Sequence, residues 1–168
     1  MAYQEHIGDA SSIVARFAVI TLSDTRTVET DKSGKCIQKL IEQAGHTVGA
    51  YSLIRDEPAA LSALLDTLLN RADIDVIVTT GGTGISRRDS TIEVIEQRLQ
   101  QSLPGFGELF RYLSFQEIGS GAMLSRAAGG IIDGKVIFAL PGSQAAVELG
   151  MARLVLPEIR HLVSELRK

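Results

Sequence analysis

Val76-Ile77-Val78-Thr79-Thr80-Gly81-Gly82-Thr83-Gly84-Ile85-Ser86-Arg87-Arg88-Asp89 passes from an apolar β-type segment straight into a glycine loop that ends in two arginines and a carboxylate. The apolar part, Ile74 to Val78, reads as a buried strand, because a short run rich in β-branched residues with no polar alternation fits a sheet covered on both faces. Residues without a Cβ then let backbone N–H groups approach an anion closely, and the charges at the end of the loop suit a polyanion and its counter-ion. The stretch therefore points to an α/β sheet that holds a phosphorylated ligand at a strand end.

Working outward, Phe17-Ala18-Val19-Ile20 reads as another buried strand running into Thr21-Leu22-Ser23-Asp24. Cys36, Ile37, Leu40, Ile41 and Ala44 then recur at helical spacing until Gly45, a natural left-handed C-cap. Val48 to Ile54 reads as a strand, and Asp56 stands as N-cap before Glu57-Pro58 and the stripe Leu61, Leu64, Leu65, Leu68 and Leu69. Ser90 with Glu93 forms a capping-box pattern opening a helix that buries Ile92, Ile95 and Leu99. Pro104-Gly105-Phe106-Gly107 punctuates the chain before an apolar helix over 108–115. Asp133-Gly134 joins strands 128–132 and 135–140 in a hairpin, and two terminal helices are expected over 144–154 and 157–166. Alternating strands and helices of this kind predict a three-layer α/β/α fold with a mostly parallel sheet and an antiparallel edge hairpin. Residues 1–14 read as a flexible arm and 15–168 as one domain.

Composition removes several function classes. The 168 residues are 45% hydrophobic and 22% charged, the balance of an ordinary globule, and the net charge of −3 offers no basic field for nucleic acid. No apolar run is long enough for a membrane span, so neither nucleic acid nor membrane is expected as a partner. One cysteine, Cys36, excludes an intrachain disulfide and a cysteine-based zinc site and favours a cytoplasmic address. His6, His46 and His161 lack metal-ligand spacing.

In an open parallel sheet, ligands bind beyond the carboxyl ends of the strands. Three polar loops occupy that rim: Thr21 to Asp24, Thr79 to Asp89 with Gly81, Gly82, Thr83 and Gly84, and Pro141-Gly142-Ser143. Asp89 precedes a helix start, where the dipole keeps a carboxylate ionised and suited to magnesium, with helix capping as the lesser reason for an acid there. Asp56 has a sufficient structural reason as an N-cap. Ser23 and Asp24 can contact a ribose or heterocycle, and Asp31, Ser33 and Gly34 can either open a helix around an anion or simply cap it. Arg87, Arg88 and Arg126 are candidate phosphate clamps. The rim also leaves room for a flavodoxin-like electron carrier, against which the scarcity of aromatics argues.

The set Thr-Leu-Ser-Asp (21–24), Asp-Lys-Ser-Gly (31–34), Gly-Gly-Thr-Gly with Arg-Arg-Asp (81–89), Leu-Ser-Arg (124–126) and Leu-Pro-Gly-Ser (140–143) resembles the MoaB/MogA family of molybdenum-cofactor biosynthesis proteins. The segment 111–119 looks closer to the MoaB branch. The resemblance implies molybdopterin binding and, in active members, transfer of AMP from ATP to the terminal phosphate of the pterin with Mg²⁺. It places the two catalytic, metal-holding acids on Asp56 and Asp89, with Arg88 beside them, which reverses the capping reading of Asp56. It also implies that Gly81, Gly82 and Gly84 cradle phosphate, that Ser23, Asp24, Asp31 and Gly34 lie near nucleotide or pterin, and that Ser125 and Ser143 line the pterin side. A homotrimer or homohexamer is implied as well. A non-catalytic pterin carrier or scaffold is the alternative within the same family.

Overall fold

The computed structural model describes residues 12–168, so most of the arm expected over 1–14 lies outside the described residues. Strands β1 (Arg16–Leu22), β2 (Thr47–Ile54), β3 (Val76–Thr80), β4 (Gln101–Ser102), β5 (Ala128–Ile132) and β6 (Lys135–Leu140) form one six-stranded sheet in the order β2-β1-β3-β6-β5-β4. The first four of that order run parallel, while β5 is antiparallel to β6 and β4 to β5. Asp133 and Gly134 both have positive φ, 47° and 72°, the backbone that a two-residue hairpin turn needs to match the strand twist.

Successive strand residues face opposite ways, and this divides the core in two. Phe17, Val19, Val76, Val78, Val136 and Phe138 pack on one face with Ile37 and Ile41 of α1 (Lys32–Gln43), and with Phe106 and Phe110 of α4 (Pro104–Ile118). The C-terminal helices cover the same face through Val147, Val155, Ile159 and Val163. Ala18, Ile20, Ile77, Ile137 and Ala139 meet α2 (Pro58–Leu69) and α3 (Thr91–Glu96) on the other.

Several helix boundaries depart from the pattern reading. Glu57, not Asp56, is the N-cap of α2, and it makes no side-chain cap bond. The missing bond forgoes about 1 kcal/mol, whereas Leu61, Leu65 and Leu68, each at most 3% exposed, contribute about 1.5–3 kcal/mol apiece by burial. Packing decides that helix. The Ser90–Glu93 capping box does not form: the Ser90 side chain makes no cap bond, and Glu93 pairs with Arg126 instead. Helix α4 begins at Pro104, because proline suits a first turn whose N–H groups have no helical partner. The two expected terminal helices are one continuous rod, α5 (Gln144–Gly150), a π-turn (Met151–Val155) and α6 (Leu156–Leu166). Pro157 crowds the carbonyl of Arg153 four residues back, and the wider π-turn comes where that crowding falls.

Candidate functional site

Because β1, β3 and β6 are parallel neighbours, Leu22, Thr80 and Leu140 end side by side and send their loops to one rim. Backbone and side chains then lock the loops together. The Gly81 N–H donates to Leu140 O at 3.2 Å, and the Thr80 hydroxyl donates to Pro141 O at 2.9 Å. Gly142 O accepts from the Ser33 hydroxyl at 2.7 Å and from the Arg26 guanidinium at 2.8 Å. Gly81 and Gly82 adopt φ of 99° and 64°; a Cβ on Gly81 would overlap the Leu22 carbonyl, so the loop turns back over the strand only with glycine there.

The acids gather around this loop. A Cβ on Gly82 would lie 2.5 Å from Asp56 Oδ1, and one on Gly84 would lie 2.6 Å from Asp89 Oδ2, so the two carboxylates flank the glycine run. Asp56 Oδ1 is buried without a hydrogen-bond partner. Burial first, then the charge of Asp89, then that of Asp24 push the Asp56 carboxyl above the usual range, and Arg88 recovers part of the shift. Asp89 Oδ2 accepts from the Ser86 N–H at 2.9 Å, which closes the loop on itself. Asp24 ties the cluster: Oδ1 accepts from the Asp56 N–H at 3.3 Å, and Oδ2 pairs with Arg88 at 2.8 Å. The Arg88 side chain remains 70% exposed beyond that pair. Ser23 Oγ accepts from the Thr25 and Arg26 N–H groups and fixes the turn that carries Asp24.

Other expected contacts take supporting positions. Asp31 is fully buried and caps α1, accepting from Gly34 N–H at 3.0 Å, Thr21 Oγ1 at 2.6 Å and Tyr51 Oη at 2.7 Å, with Arg26 at 3.4 Å. Burial opposes its charge, but these partners outweigh burial and hold its pKa low. Enclosed in this way, Asp31 shapes the rim from beneath. Arg126 is likewise a brace rather than a free phosphate clamp: it donates to Thr83 O at 3.0 Å, Gly84 O at 2.7 Å and Asp89 O at 3.3 Å, and it pairs with Glu93. Thr83 is buried, and Ser125, half-buried, immediately precedes Arg126 in the chain. Ser143 Oγ accepts from Ala146 N–H at 3.2 Å as the N-cap of α5, with Pro141 and Gly142 half-buried before it. Arg87 is exposed.

Sequence reasoning missed Arg26, Tyr51 and Thr91. Arg26 had a signal, as a basic residue just after the first polar loop; the other two are visible only once β2 and α3 are in place.

An open α/β sheet whose glycine loop lies between two acids, at the carboxyl ends of adjacent parallel strands, puts the candidate site where sheets of this class bind their ligands. The comparisons narrow that class. Residues 18–161 match the family model described as a probable molybdopterin binding domain, and the chain belongs to that family. It is 48% identical to molybdenum cofactor biosynthesis protein B of Bacillus subtilis, over 100% of this chain and 99% of that one. A crystal structure of a molybdenum cofactor biosynthesis protein B superposes with a TM-score of 0.90 at 47% identity, covering 92% of this chain and 97% of the other. The tungsten cofactor synthesizing protein MoaB from Pyrococcus furiosus gives 0.83 at 36% identity, covering 92% and 98%. No helix among the described residues is long and apolar enough to cross a membrane.

Proposed function

We propose that this protein acts in molybdenum cofactor biosynthesis as a molybdopterin adenylyltransferase, moving AMP from ATP to the terminal phosphate of the pterin. The observation that carries the reading is Asp56: a buried carboxylate oxygen without a partner, across a glycine loop from a second acid. An acid kept in surroundings that disfavour its charge, with no cap to make, suits a cation that arrives with substrate.

Magnesium fits this donor set. Among the described residues no group of three or more His, Cys, Asp or Glu side chains stands ready to hold a metal. Mg²⁺, however, ordinarily takes one or two carboxylates and completes its shell with substrate phosphates and water. Asp56 and Asp89 would supply those carboxylates. Bound there, the ion would draw electron density from the phosphates and favour departure of pyrophosphate.

The chain's own residues supply positioning and charge. An oxygen of the pterin phosphate forms the new bond to the α-phosphorus of ATP as the bond from that phosphorus to the β-bridging oxygen breaks. The electron pair leaves with pyrophosphate, and no protein nucleophile is needed. Backbone N–H groups of the 82–84 run orient the phosphates, Arg88 offsets charge gathering on the leaving group, and Asp24 keeps Arg88 over the loop. Ser125, beside Arg126 in the chain, and Ser143, after Gly142, are assigned to the pterin side, as the family resemblance implies.

The test is incubation of the purified chain with ATP, Mg²⁺ and molybdopterin, with mass detection of the adenylylated pterin. Formation of that product is expected, together with a loss of about 100-fold or more in Asp89→Asn, since one transition-state charge contact is worth that much. Pterin binding without product would replace the enzyme by a carrier.

A further inference from the structure

Thr91 is the first residue of α3, and its position is fixed twice by Gly82. Its N–H donates to Gly82 O at 3.0 Å, and its side chain lies against the bare Cα of the same glycine. The heavy atoms nearest to where a Gly82 Cβ would stand are Thr91 Oγ1 and then the two oxygens of Asp56, at 2.5 and 3.0 Å. Thr91 is 1% exposed, and both Thr91 Oγ1 and Asp56 Oδ1 are buried without a hydrogen-bond partner. Two orphaned polar atoms thus crowd the same point on one side of a glycine.

That pairing is costly as it stands. A buried hydroxyl or carboxylate oxygen left unbonded loses about 1–3 kcal/mol of solvation, and most such groups find a partner. Threonines within helices commonly donate to the carbonyl four residues earlier, but at the first helical position that carbonyl lies outside the helix. The hydroxyl therefore has no local use, and the acid beside it has no donor.

We propose that Thr91 is a positioning residue for Asp56: its hydroxyl donates to Oδ1 when the carboxylate turns to take a divalent cation through Oδ2. This rests on the adenylyl-transfer reading above, in which Asp56 helps to hold that cation. A carboxylate that engages a cation with one oxygen is held in orientation by a hydrogen bond to the other, as ligating carboxylates generally are. The requirement for glycine at position 82 follows too, since a Cβ there would overlap the Thr91 hydroxyl and part the pair.

The experiment measures Mn²⁺ held by the full chain through enhancement of water-proton relaxation, with and without α,β-methylene-ATP, in Thr91→Ser, Thr91→Ala, Thr91→Val and Asp56→Asn. Thr91→Ser and Thr91→Ala both lack the methyl group and differ only in the hydroxyl. The expected result is near-native affinity for Thr91→Ser and a loss of about tenfold for Thr91→Ala and Thr91→Val, the size of one charge-assisted bond, with Asp56→Asn weaker still. Equal affinity in Thr91→Ser and Thr91→Ala, whether both native or both reduced, would overturn the positioning role. If Thr91→Val does not fold, the serine and alanine pair decides alone. Native Mn²⁺ affinity in Asp56→Asn would instead overturn the metal reading beneath it, and the two failures are told apart by that variant.

Discussion

Asp56 carries a charge that its surroundings disfavour, through burial first and then through Asp89 and Asp24. The folded pKa lies above the unfolded value of about 3.9, so the native state binds this proton more tightly and loses stability as pH rises through that window. Asparagine keeps the shape without the charge. Asp56→Asn is therefore expected to melt at a higher temperature than the parent at pH 7, with the gap closing towards pH 4, while adenylyl transfer is lost. Thermal melts at both pH values check this; a lower melting temperature at pH 7 would contradict it. Gly82 makes the opposite demand. Its φ of 64° and the Asp56 and Thr91 oxygens around its Cβ position leave no place for a methyl group. Gly82→Ala is expected to cost about 1–3 kcal/mol in urea unfolding, the range for a non-glycine residue held in a left-handed conformation.

Helix α1 reaches the rim through a buried knot whose centre is Asp31, and its strength can be read from Tyr51. Burial first, then the bond to Asp31, push the Tyr51 hydroxyl up to about 12. Tyr51→Phe removes one donor to a buried carboxylate and is expected to lower stability by about 1–3 kcal/mol, measured by urea unfolding at pH 7. Knots of this kind explain what the sequence did and did not disclose. Asp133-Gly134 was legible because its backbone needs are local, and Gly45 with its φ of 80° likewise. Strand β4 was not, since Gln101 and Ser102 are both exposed and carry no alternation, and only pairing with Ile131 and Gly130 makes them a strand. At the site, the glycine loop and Asp89 announced themselves by type and order. By spacing alone Asp56 reads as a cap, a place that Glu57 takes, and only the family resemblance marked it as a site acid; Arg126 reads as a clamp, but Thr83, Gly84 and Asp89 claim its donors. Propensity and spacing describe neighbours in sequence; these partners are decided by how distant loops meet.

Across the molecule, the end of the sheet opposite the site is stapled by Asp75, which accepts from the Arg16 backbone at 2.9 Å and from the side chains of Arg16 and Arg167. Burial alone would raise its pKa, but these bonds bring it down to about 2. A depressed folded pKa gives stability that is present above about 4 and lost as pH falls towards 2. Asp75→Asn is expected to cost on the order of 1 kcal/mol at pH 7, modest because both arginines are over 40% exposed, and progressively less as pH falls to and below 2. The outer face of α4 raises the larger question. Leu109, Tyr112, Phe115 and Ile118 are 53–61% exposed, and Met123 of the following turn lines one shallow apolar depression with Tyr112 and Phe115. Contiguous apolar area of this kind is costly in water and usually marks a contact with another chain. We propose that it is covered by further copies of this chain, in the trimer or hexamer that the family resemblance implies. The association requires no change in fold, because Phe106 and Phe110 on the inner side of the helix already anchor it to the sheet. Tyr112→Arg with Phe115→Arg is therefore expected to leave the melting of the single chain intact while reducing the mass in sedimentation equilibrium to that of a monomer. A monomeric mass for the unaltered protein at micromolar concentration would remove the proposal, and the exposed face of α4 would then need a different partner.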